Sequence, residues 1–177
     1  MNKCYFIVGL SACGKTTLGS RLVKFMRNKG VQSILVDADQ MSEFALLKKY
    51  NGHDIGSRMR RGKELTNLIR WLMKSGITPV VAVIGQPADL RVHWKEKING
   101  YREIQLECDL STCKKRDKKN LYSRAYDGSL KDIIGIDIPY EDPLISDITI
   151  DTNSLTEEEV FRMTIQHFQL NSLDFHE

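Results

Sequence analysis

The chain has 177 residues, 41% of them hydrophobic, which is enough to build the core of one domain or of one domain with a small covering segment. A net charge of +3 and a pI of about 8.6 suit anionic small substrates but fall short of the strongly basic balance of a dedicated nucleic-acid binder. No basic-then-apolar leader and no apolar run of about 18 residues is present, so neither export nor membrane spanning is expected, and a cytoplasmic protein is.

In chain order, Tyr5 to Val8 is an apolar run suited to a buried strand. It leads into "GLSACGKT", Gly9 to Thr16, which fits G-x-x-x-x-G-K-[ST] and is followed by a helical pattern from Thr17. In such a loop the glycines let successive backbone N–H groups turn toward one anion. Lys15 reaches the outer phosphates, the Thr16 hydroxyl can ligate Mg²⁺, and the helix dipole adds to the attraction. Cys13 lies inside this loop near Lys15 and a helix N-terminus, where a thiolate would be favoured; the alternative is that it fills the place of another small residue. Cys4, Cys13, Cys108 and Cys113 form no C-x-x-C pair and have no His at zinc spacing, so neither a structural metal nor a disulfide framework is expected.

The first helix ends at Lys29-Gly30, and Gln32 to Val36 reads as a second strand closed by Asp37-Ala38-Asp39. A carboxylate at a strand end can be a helix cap. It can also hold Mg²⁺ or accept the proton of an attacking hydroxyl, and the third strand ends without a carboxylate of its own. Leu65, Leu68, Ile69 and Leu72 form the apolar stripe of a helix that stops near Ser75-Gly76. Pro79 to Ile84 is a continuous apolar strand, a helix runs from about Pro87 to Lys97, and Tyr101 to Glu107 and Ile148 to Ile150 are the fourth and fifth strands. Thr156 and Glu159 form a capping box for a last helix, on which Phe161, Ile165 and Phe168 share one face. Continuous apolar strands alternating with helices predict an α/β fold: a P-loop NTPase three-layer sandwich with an about five-stranded, mainly parallel sheet and helices on both faces. Residues 1–177 are expected to form a single domain, there being no repeat, low-complexity tract or linker.

Between the fourth and fifth strands, "CKKRDKKNLYSRAY" crowds six Lys or Arg residues into a short polar stretch. A solvated helix face or a nucleic-acid patch would account for it. Its place at the end of the sheet that carries the phosphate loop favours a basic lid over about residues 114–128, with Arg116 and Arg124 as phosphate donors. A GTPase-type switch is disfavoured because no [NT]-K-x-D string and no D-x-x-G after the third strand occurs. A nucleic-acid-binding module is disfavoured because the basic run lacks interleaved aromatics. His53, His93, His167 and His176 are scattered singly and receive no role.

With these residues in hand, the chain resembles the adenylylsulfate kinase family of P-loop kinases, which phosphorylate the ribose 3′-hydroxyl of a nucleotide. The resemblance covers roughly residues 4 to 152. It is carried by "GLSACGKTTL", by "DAD" where the family has Asp-Gly-Asp, by "CKKRDKKNLY", and most specifically by "GIDIPYEDP" from Gly135 to Pro143. It implies that Gly9, Ser11, Ala12, Cys13, Gly14, Lys15, Thr16 and Thr17 hold the phosphates of ATP and that Thr16 and Asp37 hold Mg²⁺. Lys15, Asp37 and Asp39 are then the catalytic residues, and Arg116 contacts the nucleotide. On the acceptor side it implies Asp39, Tyr50, Lys131 and the position of Ile133. It further implies a homodimer acting on small nucleotides, with no nucleic acid or membrane as partner.

The departures cluster where the family grips its sulfated substrate. Ser42 replaces the arginine that ends the Asp-Gly-Asp motif, a second substrate arginine aligns near Ile55, and Ile133 stands in place of a phenylalanine that stacks on the acceptor adenine. Within the family the chain looks most like the variant that phosphorylates cytidine diphosphoramidate on the route to phosphoramidate-decorated bacterial capsules. The alternative is adenylylsulfate itself, yielding 3′-phosphoadenylylsulfate, in which case Arg58, Arg60 or Arg61 supplies the missing cations.

Overall fold

The computed structural model describes residues 3–41 and 52–172. Five strands, β1 (Cys4–Val8), β2 (Ser33–Asp37), β3 (Thr78–Ala82), β4 (Tyr101–Glu107) and β5 (Ile148–Asp151), form one sheet in the order β2-β3-β1-β4-β5. Every pairing is parallel, so the expected mainly parallel sheet is wholly so among the described residues. The central strand β1 is "CYFIV" and is buried along its whole length, as a strand covered on both faces must be.

Alternation along β1 divides the core. Tyr5 and Ile7 join an apolar cluster with Leu18, Leu22, Val23 and Met26 of helix α1 (Lys15–Asn28), whereas Cys4, Phe6 and Val8 face a second cluster. That second cluster takes Leu65, Ile69 and Leu72 from helix α3 (Ile55–Lys74) and Leu90 and Trp94 from helix α4 (Ala88–Lys97). Helices therefore cover both faces, giving the three layers expected. The short helix α2 (Ala38–Met41) follows β2 directly.

Beyond β4 the chain forms two short helices, α5 (Leu110–Arg116) and α6 (Leu121–Tyr126), which carry most of the basic stretch. The last helix, α7 (Glu157–His167), starts on the anticipated capping box: Thr156 accepts from the Glu159 N–H while the Glu159 carboxylate accepts from the Thr156 N–H. Ile165 of this helix is buried, and Phe161 and Phe168 pack edge-on against Phe25 and Tyr5 with ring centroids 5.7 and 5.3 Å apart.

A buried polar network fixes the segment that follows α6. Arg91 of α4 is fully buried and pairs with Glu103 of β4, while Gln105 of β4 donates to Asp142 at 2.7 Å. Gln86 and Glu141 are joined through both the side chain and the backbone N–H. The string "GIDIPYEDP" is thus held against the carboxyl ends of the strands by side chains of β4 and of the β3–α4 connection, which is where a parallel sheet presents its ligand site.

Candidate active site

The phosphate loop joins β1 to α1 and is shaped by backbone angles that its sequence permits. Gly9 has φ 143°, and a Cβ there would lie 2.4 Å from the Leu106 carbonyl oxygen; Gly14, at the N-cap of α1, has φ 105°. Ala12 also lies in the left-handed region, with φ 63°, where a side chain costs about 1–2 kcal/mol. Ala12→Gly is therefore expected to raise stability by about 0.5–1 kcal/mol, the relief of that strain less the added freedom of glycine in the unfolded chain. Chemical denaturation measures it, and a loss of stability would show that the alanine methyl contributes packing that outweighs the strain.

Lys15 is the first residue of α1, and its amine donates to the Leu10 carbonyl at 2.6 Å and lies 3.9 Å from Cys13 Sγ. Cys13 is buried, and burial pushes its thiol upward more strongly than the Lys15 charge pulls it down. Its side chain packs in the first apolar cluster. Thr152 at the end of β5 donates to the Cys13 carbonyl at 3.3 Å, and Tyr122 of α6 donates to the Ser11 carbonyl at 2.9 Å. Both contacts were invisible to motif reading, because they join residues more than a hundred positions apart.

Asp37 closes β2 two strands away from the loop, yet its Oδ2 accepts from the Thr16 hydroxyl at 2.6 Å. Its Oδ1 accepts from the Asp39 backbone N–H at 2.9 Å. The two readings of this carboxylate are therefore not exclusive: one oxygen caps the start of α2 and the other faces the phosphate loop. A hydroxyl and a carboxylate so close together are hard oxygen donors, which fit Mg²⁺. Among the described residues no group of three or more His, Cys, Asp or Glu could hold a metal, so the fit is to an ion that takes its remaining oxygens from phosphates and water.

Asp39 projects to the basic segment, where Lys119 pairs with its Oδ2 at 2.6 Å. Motif reading did not single out Lys119, since nothing in a run of six cations distinguishes one from the next. Arg116, at the end of α5, donates to the Thr152 carbonyl at 2.9 Å and lies 3.7 Å from Cys108 Sγ, which places it beside the strand end that braces Cys13. Thr16 and Thr17 are exposed on the first turn of α1.

On the acceptor side the expected residues separate. Tyr50 and Ser42 lie outside the described residues. Arg58 is buried and donates from Nε to the His53 carbonyl at 2.6 Å and from Nη2 to the Asp132 carbonyl at 3.1 Å, so it ties the start of α3 to the residue before Ile133. Arg61 donates to the Gly52 carbonyl at 2.7 Å. Desolvation and the Arg58 and Arg61 charges hold His53 below its ordinary value, which marks a concentration of positive charge here. Lys131 is exposed. Ile133, expected to face the acceptor base, is instead 2% exposed and packs in the first apolar cluster. A side chain enclosed in the core offers no face to a base, so the absence of an aromatic at this position carries no information about which base is bound. Ile55 is 40% exposed at the first turn of α3.

The chain matches the family model described as adenylylsulphate kinase over residues 1–151. An adenylyl-sulfate kinase of Geotalea uraniireducens is 31% identical over 171 residues, covering 96% of this chain and 81% of that one. A probable adenylyl-sulfate kinase of Archaeoglobus fulgidus is 30% identical over 153 residues, covering 86% and 97%. Among solved structures, the Mycobacterium tuberculosis APS kinase in complex with AMPPNP and APS superposes with a TM-score of 0.87 at 23% identity, covering 95% of this chain and 98% of that one. No helix among the described residues is long and apolar enough to cross a membrane.

Proposed function

The chain belongs to the adenylylsulfate kinase family of nucleotide kinases, and from that premise we propose that it transfers the γ-phosphate of ATP to the ribose 3′-hydroxyl of adenylylsulfate. The observation that carries the reading is the 2.6 Å contact between Thr16 and Asp37, which joins the phosphate loop to a carboxylate from the end of β2. Backbone N–H groups of residues 9 to 16 cradle the phosphates, and Lys15 exchanges its Leu10 carbonyl partner for the outer phosphates. Thr16 and Asp37 would hold Mg²⁺, which when bound neutralises charge on the phosphoryl oxygens. Asp37 orients Asp39 through the Asp39 backbone N–H, and Asp39 receives the acceptor hydroxyl.

Two considerations favour adenylylsulfate over the cytidine nucleotide expected from the sequence. The relatives compared above are named as adenylyl-sulfate kinases. The departures that pointed elsewhere also weaken: Ile133 is a core residue, and Arg58 and Arg61 gather charge at the start of α3, beside the exposed Ile55. Positive charge is thus concentrated at the start of α3 even without the family's arginine at that place.

A coupled ADP-release assay over a panel of nucleotides tests the acceptor, with the product phosphate located by ³¹P NMR. Adenylylsulfate is expected to exceed every cytidine diphosphate derivative in kcat/KM by about tenfold or more, since one lost charged contact is worth about 1.5–3 kcal/mol. A cytidine derivative ahead by the same margin would reassign the acceptor and leave the kinase intact; turnover of no nucleotide would overturn the kinase reading.

A further inference from the structure

We infer that Arg91 is a positioning residue for the acceptor: acting through Asp142, it seats residues 132–142 between the phosphate loop and the start of α3. The inference rests on the kinase reading above. Both ends of this segment are tied to a helix by an arginine. At its start Arg58 of α3 donates to the Asp132 carbonyl at 3.1 Å, beside the positive charge gathered around His53. In its middle Gly135 has φ 91°, and a Cβ there would lie 3.0 Å from Leu10 Cδ2, so the backbone rests on the phosphate loop. A tight turn holds this part: the Gly135 N–H donates to the Ile138 carbonyl at 2.7 Å, and the N–H groups of Ile136, Asp137 and Ile138 donate to the Ile133 carbonyl. At its end Asp142 meets Arg91 of α4. An acceptor whose hydroxyl reaches a phosphate in the loop while its anionic part faces the cations of α3 lies along this segment.

The Arg91 end is built rather than incidental. Arg91 is fully buried, and its Nη2 donates to Glu103 at 2.5 Å and to Gln105 Oε1 at 2.6 Å. Taking an arginine out of water is costly, and Glu103 already balances its charge. A second carboxylate nevertheless arrives from the segment: Asp142 Oδ1 lies 3.3 Å from Arg91 Nη1, and Asp142 Oδ2 accepts from Gln105 Nε2 at 2.7 Å. Nη1 makes no hydrogen bond among the described residues, so its attraction to Asp142 is one of charge. Gln105 accepts from Arg91 with its oxygen and donates to Asp142 with its nitrogen, so its amide cannot turn toward one partner without losing the other. The Asp142 side chain is 26% exposed, and it can be altered without leaving Arg91 unpaired. An asparagine at 142 would present its NH₂ group either to Arg91 Nη1 or to Gln105 Nε2, donor against donor. The end of the segment then loosens. The phosphate loop keeps its shape, which is set by Gly9 and Gly14 and by the bonds from Thr152 and Tyr122.

Steady-state kinetics and hydrogen exchange on the full chain decide it. D142N is expected to raise KM for adenylylsulfate about tenfold while KM for ATP moves less than about twofold, because this segment seats the acceptor and not the phosphates of ATP. Q105M is expected to act in the same direction, and the double variant about as strongly as D142N alone, since both interrupt one path from Arg91. Exchange at the Gly135, Ile136, Asp137 and Ile138 amides is expected to be about tenfold faster in D142N, with the interior amides of β1 and β4 unchanged. An unchanged KM for the acceptor, an equal rise in both KM values, additive effects of the two substitutions, or faster exchange spread equally over β1 and β4 overturns the inference, as does unchanged exchange at 135–138. Should the nucleotide panel reassign the acceptor, the KM comparison is made with that nucleotide. A parent protein that phosphorylates no nucleotide would instead remove the kinase reading, and the exchange comparison would still decide whether Arg91 seats the segment.

Discussion

Lys15→Ala is expected to lower kcat by about three orders of magnitude or more at saturating ATP, through loss of charge stabilisation at the transferring phosphoryl group. The structure separates this effect from folding. Lys15 begins α1 half-buried, and its amine donates to the Leu10 carbonyl and, at 3.9 Å, to Cys13 Sγ; loss of the shorter bond costs about 1 kcal/mol and the long contact to sulfur adds little. The thermal midpoint should therefore move by only a few degrees while turnover collapses. Single-turnover kinetics beside a melting curve make the comparison. Turnover within tenfold of the parent would show that the loop binds an anion without serving catalysis.

Asp37→Asn should lower kcat by about two orders of magnitude and also reduce stability by about 1–3 kcal/mol, because this carboxylate is buried and both of its oxygens accept hydrogen bonds. An amide keeps one acceptor and turns a donor toward the other partner. If the amide oxygen stays on the Asp39 N–H, the cap survives and the Thr16 side of the site is lost; if it turns to Thr16, the start of α2 is left without its acceptor. A residue that only capped α2 would show a stability loss of about 1 kcal/mol with little kinetic change. Raising the Mg²⁺ concentration should partly restore the variant's rate if the lost oxygen is a metal ligand, and that rescue is the discriminating measurement.

The phosphate loop, the succession of strands and helices, and the capping box of α7 were legible in the residues, because each is local: a motif of eight positions, an apolar run, a pair of residues three apart. Local chemistry also set the choices at Asp37, a cap or a metal ligand, without being able to say that one carboxylate serves both. The order β2-β3-β1-β4-β5 decided that, since it brings the end of β2 to Thr16 across an intervening strand that has no carboxylate to offer. Ile133 went the other way. Read from the family pattern it belonged to the acceptor, and packing enclosed it in the core instead. Arg58 was expected to meet the acceptor through charge, whereas two of its donors are engaged by the His53 and Asp132 carbonyls, so its first effect is to hold two segments together. Lys119 was one of six similar cations until an anchored turn set it against Asp39. Composition and spacing thus determined which chemistry the chain carries, since phosphate binding is written into consecutive backbone and side-chain groups. Which carboxylate meets which cation was left to the tertiary structure, because partners 21 and 80 residues apart in the chain share no local pattern and are brought together only when the parallel sheet aligns its strand ends.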